Sequence, residues 1–204
     1  VHPGIGNPDG TLVNALLAHS DDWAGIRGVL KPGIVHRLDK NTSGLMVTAK
    51  HDQSCVGLQN QFRDRMVTKV YRALVWGTPH PKRGRINQPI ARNPRDRIKM
   101  AVVSGGKTAI SDYEVLEELG KEHAYVEVLL HTGRTHQIRV HLAWLGHPIV
   151  ADTLYGKPRH TYGLCGQALH CCRLGFAHPV GGQSLEFEAP IPEDFALALE
   201  NMRR

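Results

Sequence analysis

Two runs of side chains, Lys107 to Leu119 and Tyr125 to His131, constrain the fold of this chain most. In the second run Tyr125, Glu127 and Leu129 share one face of an extended strand, and Val126, Val128 and Leu130 share the other, because strand side chains alternate with a period of two. Gly120 lies in the break between the runs, where a turn would pair them as neighbours. Val70 to Trp76, rich in β-branched and aromatic residues and ended by Gly77, reads as another strand, and Leu169 to Phe176 and Leu185 to Phe187 as late ones. Helices are fewer. One is expected from a cap at Thr11 to His19, one from a cap at Asp52 to about Arg65 with Leu58 and Phe62 on its buried side, and one over Phe195 to Met202. Another follows a cap at Thr135, with Ile138, Leu142 and Leu145 as its apolar stripe, Arg139 on the flank, and a stop at Gly146 and Pro148. Gly25 to Gly33 reads as loop. Strands that outnumber helices without alternating with them favour an α+β mixed sheet over a doubly wound one.

With 204 residues, 41% of them hydrophobic and 22% charged, the chain suits one well-buried domain spanning 1–204 and excludes wholesale disorder, fibres and repeat arrays. No apolar run approaches the length of a membrane span, and the start lacks the basic and apolar stretches of a signal peptide. Cys55, Cys165, Cys171 and Cys172 are too few, and two of them too close together, for a disulfide framework, so a reducing cytoplasmic setting is expected. The formal net charge of +6 favours a polyanionic partner. Much of it lies between Lys82 and Lys99, where Arg83, Arg85, Arg92, Arg95 and Arg97 accompany a single acid, Asp96. That segment is either a solvated loop or a phosphate-binding surface.

Two short apolar runs, Ile34 to Leu38 and Leu45 to Ala49, read as strands on either side of a polar turn that begins at Asp39. Alone, an aspartate there is an ordinary turn or cap residue. The whole segment, His36-Arg37-Leu38-Asp39-Lys40-Asn41-Thr42-Ser43-Gly44, resembles the H-R-L-D-x-x-T-S-G signature of the RluA/RluD pseudouridine synthases and matches it throughout. Lys69-Val70-Tyr71-Arg72-Ala73 and Thr132-Gly133-Arg134-Thr135-His136-Gln137-Ile138-Arg139-Val140-His141, followed by Gly146-His147-Pro148, resemble later motifs of the same family in the same order. Leu169-His170 and His178-Pro179 also fit, so the resemblance runs from Val1-His2-Pro3-Gly4 to Ala189-Pro190.

The resemblance implies the pseudouridine synthase catalytic fold, with a central mixed, mostly antiparallel sheet flanked by helices and loops around an RNA-binding cleft. It implies an isomerase that breaks the N1–C1′ bond of uridine, turns the uracil and joins its C5 to the same carbon, without cofactor or metal. It assigns Asp39 as the essential carboxylate, Arg139 as the guanidinium that keeps it charged and oriented, and Tyr71 as the aromatic platform for an everted base. Arg37, Arg134, His136, Arg92 and Arg97 are expected to contact RNA, whereas His36, Thr42, Ser43 and Gly44 shape the turn that aims Asp39. Two rival constellations are weaker: Cys165, His170, Cys171 and Cys172 lack the paired spacing of structural zinc sites, and no G-x-S-x-G elbow surrounds Ser43.

Within the family, Pro8-Asp9-Gly10-Thr11, Gly33-Ile34-Val35, Arg97 to Val102 and Gly106-Lys107 are most similar to the D-type enzymes that modify specific uridines of 23S, large-subunit ribosomal RNA. Uridines of other ribosomal or transfer RNA, or a non-catalytic role in ribosome assembly, are the alternatives. The family's precedent is a monomer acting on a uridine-containing stem-loop, free or within the large subunit or its precursor. The Lys-Pro strand that precedes Val-His-Pro in the family, and the S4-like domain of many members, are expected to be missing from a chain that begins at Val1 without Met.

Overall fold

The computed structural model describes residues 1, 9–19, 33–156 and 160–204. The loop expected over 25–33, apart from Gly33, and the Val-His-Pro-Gly opening, apart from Val1, lie outside the described residues. The chain forms two compact units, Val1–Lys40 with Leu45–Val67 and Leu174–Phe187, and Asn41–Gly44 with Thr68–Arg173 and Glu188–Arg204.

The second unit is organised by the strands that the alternation predicts. β6 (Ile110–Leu119) and β7 (His123–Leu130) pair antiparallel across a turn in which Gly120 takes a positive φ of 59°. β7 buries Val126, Val128 and Leu130 and leaves Tyr125, Glu127 and Leu129 half-buried, as its period of two requires. β2 (Thr68–Trp76) pairs along its length with β7, placing Tyr71 opposite Val128, and Gly77 ends it at φ 71°. β8 (Leu169–Ala177) lies beside β2, and the two-residue β1 (Ser43–Gly44) runs parallel to β8 in a sheet ordered β1-β8-β2-β7-β6-β3. The sheet is therefore mixed and mostly antiparallel, and with four helices among the described residues the fold is α+β. α4 (Glu193–Arg203) buries Phe195, Ala198, Leu199 and Met202 and opens with Glu193 and Asp194, acids suited to a helix N-terminus.

The basic run after Lys82 is not one loop. Its first part is β3 (Arg83–Asn87), where Arg83 faces Glu114 and Arg85 faces Asp112 across the β6 ladder, and Lys82 reaches Glu118 at 2.5 Å. Bidentate bonds of 2.6 and 2.8 Å from Arg85 hold the Asp112 carboxyl down at about 2. The second part is the hairpin of β4 (Ile90–Arg92) and β5 (Met100–Val102), in which Arg92 pairs with Met100. These strands escape a search for apolar alternation because cross-strand ion pairs replace apolar contacts in the first of them.

α3 (Gln137–Trp144) differs from its expected form in two respects. The cap position is His136, in a left-handed conformation with φ 56°, rather than Thr135, and no side chain caps it. Instead Gln137 accepts the Arg134 N–H and the Thr132 hydroxyl on Oε1 and donates Nε2 to the Ile110 carbonyl and the Ser111 hydroxyl. His141, fully buried, completes this network between Ser111 Oγ and the Gln88 carbonyl. The helix is buried around its whole circumference from Gln137 to Leu142, so Arg139 lies in the interior and not on a flank.

In the first unit, α1 (Leu12–His19) follows Thr11, whose N–H and hydroxyl both donate to Asn14 Oδ1. α2 (Asp52–Arg63) begins one residue earlier than a cap at Asp52 would allow, with His51 at the cap and Asp52 in the first turn. Leu58 joins Ala49, Cys55, Val67, Leu174 and Phe176 in a core that Phe62 lines. β9 (Ser184–Glu188) pairs with β8, whose second half belongs to this unit. The expected strands Ile34–Leu38 and Leu45–Ala49 are not regular. A single bridge, Ile34 to Thr48, and the Ala49 N–H on the Gly33 carbonyl join them, because the His36 side chain takes the Val47 N–H that a ladder would use.

Burial holds the pKa of His141 and of His170 below the ordinary histidine value. The unfolded chain protonates these groups near pH 6.5 while the folded chain resists, so the unfolded state binds more protons below that point. Thermal melting should thus show Tm falling as pH drops from about 7 toward 5, with a shallower slope in His141→Gln.

Candidate functional site

Asp39 is half-buried and stands just before the turn at Lys40 and Asn41, where Asn41 takes a left-handed φ of 66°. An asparagine tolerates that conformation because its short amide bonds locally. On the first-unit side of this turn, His36 stacks on Phe62 with ring centroids 4.6 Å apart and accepts the Val47 N–H on Nε2. On the second-unit side, Thr42 Oγ1 accepts Gln167 Nε2 at 2.9 Å. His170 donates Nε2–H to the Ala189 carbonyl, which leaves Nδ1 to accept the Ser43 hydroxyl at 2.9 Å. Gly44, at φ 112°, runs so close to β8 that a Cβ would lie 2.3 Å from the Cys171 carbonyl oxygen. Each of these neighbours of Asp39 thus anchors the backbone on its own side of the turn, and Arg37 alone among the signature's first three residues is exposed.

In the second unit Arg139 makes a bidentate pair with Asp152, Nε to Oδ2 at 2.7 Å and Nη2 to Oδ1 at 2.9 Å, with 7% and 0% of the two side chains exposed. Burial alone would push the Asp152 carboxyl up, but the Arg139 guanidinium and the N–H groups of Tyr155 and Leu154 hold it below the usual carboxylate range. The guanidinium carbon also lies over the Tyr155 ring, 5.1 Å from its centroid. Asp152 and Tyr155 carry no mark in the sequence; the one hint is an acid that directly follows the apolar Pro148-Ile149-Val150-Ala151. Tyr71 lies on β2 and is buried, at 6% exposure.

Arg92 and Arg134 come together. With Lys107 they line a groove of about 480 Å³ whose other walls are Ile90, Met100 and the backbone of Gly105, Gly106 and Gly133. Arg134 is fixed by Nε–H on the Thr108 carbonyl at 2.9 Å, and Arg92 by Nη1–H on the Arg97 carbonyl. Among the described residues no carboxylate lies within ion-pair distance of these three cations, in contrast to Lys82, Arg83 and Arg85. Arg97 contributes its carbonyl and does not line the groove, and His136 turns instead to the Tyr155 hydroxyl at 2.7 Å. Lys107, not among the residues expected to contact RNA, stands in the Gly-Gly-Lys context that follows β5, and that context is the one signal that marks it.

A family model described as RNA pseudouridylate synthase matches residues 15–144. The chain is 49% identical over its full length to an uncharacterized RNA pseudouridine synthase, YlyB, of Bacillus subtilis, of which it covers 67%. It is 45% identical, over 97% of its length, to ribosomal large subunit pseudouridine synthase D of Zymomonas mobilis, of which it covers 65%. The chain thus spans about two thirds of the length of the curated relatives it matches. Among solved structures, human RNA pseudouridylate synthase domain containing 1 superposes with a TM-score of 0.71 at 30% identity, over 88% of this chain and 74% of that one.

Gly44→Ala should cost at least about 2 kcal/mol in denaturant unfolding, since neither the positive φ nor the backbone contact with β8 admits a methyl group.

Proposed function

Because the chain belongs to the RNA pseudouridylate synthase family, we propose that it isomerises uridine to pseudouridine in large-subunit ribosomal RNA, the substrate that the names of relatives 43–46% identical to it state. The single observation that carries this reading is the unbroken signature around Asp39, whose neighbours His36, Thr42 and Ser43 are held by the Val47 N–H, Gln167 and His170 and so fix the turn that carries the carboxylate. In this reading residues 1–204 act as one catalytic domain. Asp39 serves as nucleophile or base toward the nucleoside, Tyr71 receives the everted uracil against its ring, and Arg139 supplies the guanidinium. Arg37, Arg92, Arg97, Arg134 and His136 serve RNA, of which Arg92 and Arg134 have the strongest support because they share a groove with no acid. A uridine in a stem-loop, met by a cytoplasmic monomer, is the form of substrate and enzyme that fits.

The reaction exchanges the N1–C1′ bond for a C5–C1′ bond, so the C5 hydrogen leaves and N1 gains a proton without redox change. Large-subunit RNA labelled with tritium at uracil C5 should therefore release its label to water when mixed with the protein, and Asp39→Asn should reduce release by about a thousandfold or more while still binding RNA. Binding without release by the unaltered protein would favour an assembly factor instead. Arg92→Gln with Arg134→Gln should weaken RNA binding for all sequences alike, and the slope of log affinity against log salt should fall by roughly 0.7–0.9 per phosphate that the two guanidinium groups neutralise.

A further inference from the structure

Tyr155 touches two parts of the second unit at once, the buried Arg139–Asp152 pair and the basic groove. Its ring lies beneath the Arg139 guanidinium, and its backbone N–H donates at 3.0 Å to Asp152 Oδ1, the oxygen that also takes Arg139 Nη2. Its hydroxyl accepts the Met100 N–H at 2.8 Å. Met100 is the β5 residue in register with Arg92, and it forms a wall of the groove that Arg92, Lys107 and Arg134 line. The same hydroxyl meets His136 Nδ1 at 2.7 Å, with the two rings edge to face. The hydroxyl thus accepts from Met100 on the hairpin and shares a hydrogen bond with His136, the residue that precedes α3.

The surroundings over-determine this arrangement. Tyr155 packs against the cluster of Ile90, Ala109 and Val140 with Met100 and Val102, so its ring has the support of both the hairpin and α3. Two non-glycine residues held at positive φ flank it, His136 at 56° and Ala151, next to Asp152, at 59°. Backbone strain of this kind persists only where neighbouring contacts impose it.

We propose that Tyr155 is a positioning residue that couples RNA docking on the β4–β5 hairpin to the placement of Arg139, its hydroxyl setting the hairpin and its ring setting the guanidinium. The coupling rests on the reading that Arg139 acts in uridine isomerisation. It predicts that the two ends of one side chain separate kinetically. Tyr155→Phe keeps the ring and removes the hydroxyl's bonds to Met100 and His136, so KM for RNA should rise about tenfold with kcat within about twofold. Tyr155→Leu removes the ring as well, so KM should rise equally and kcat should fall at least about tenfold further.

Steady-state tritium release for the two variants, with RNA affinity by filter binding and Tm for each, tests this. Unchanged KM and unchanged RNA affinity in Tyr155→Phe would overturn the role of the hydroxyl, and equal kcat in the two variants would overturn that of the ring. Losses of kcat that merely track a lowered Tm would reduce Tyr155 to a packing residue. If the unaltered protein bound RNA without turnover, the functional reading would fall, and the affinity of Tyr155→Phe would still decide whether the hydroxyl sets the docking surface.

Discussion

A guanidinium and a carboxylate taken out of water together cost several kcal/mol of desolvation each, which only close geometry and further hydrogen bonds offset. Arg139 and Asp152 meet both conditions: the pair is bidentate, Asp152 also accepts two backbone N–H groups, and the Tyr155 ring covers the guanidinium. Much of the second unit serves to keep this pair in place. α3 is buried all around from Gln137 to Leu142, and Gln137, Ser111, Thr132 and His141 hydrogen-bond one another beside its first turn. A guanidinium fixed in this way has one orientation.

The same economy appears on the surface. The chain neutralises Lys82, Arg83, Arg85 and Arg203 against acids on β6 and α4, pairs that are exposed and individually worth little. Arg92, Lys107 and Arg134 receive no such partner among the described residues and converge on one groove. Net charge alone would not distinguish these two populations; their position across a strand ladder or around a concavity does.

Much of this fold is legible in the sequence, for identifiable reasons. β6, β7, β2 and β8 follow from their side-chain pattern, α2 from apolar residues at helical spacing that face the core of its own unit, and α4 from the apolar residues it buries. β3, β4 and β5 are hidden because they are short and their contacts are ionic or local. The strands expected on either side of Asp39 do not form because a histidine side chain, which no periodicity can register, takes a ladder donor. A three-residue apolar stripe implies one buried face and puts Arg139 on its flank, whereas a partner thirteen residues later allows the charged face to be buried too. Asp152 and Tyr155 have their meaning only through that long-range contact.

The direct test of this account is a double-mutant cycle on unfolding free energy with Arg139→Met, Asp152→Asn and the double variant. A coupled buried pair predicts that each single change costs roughly 3–5 kcal/mol, by removing one member of a buried ion pair, and that the double change costs no more than the larger single one. Losses that simply add would contradict it, and would mean that Arg139 is held by something other than Asp152.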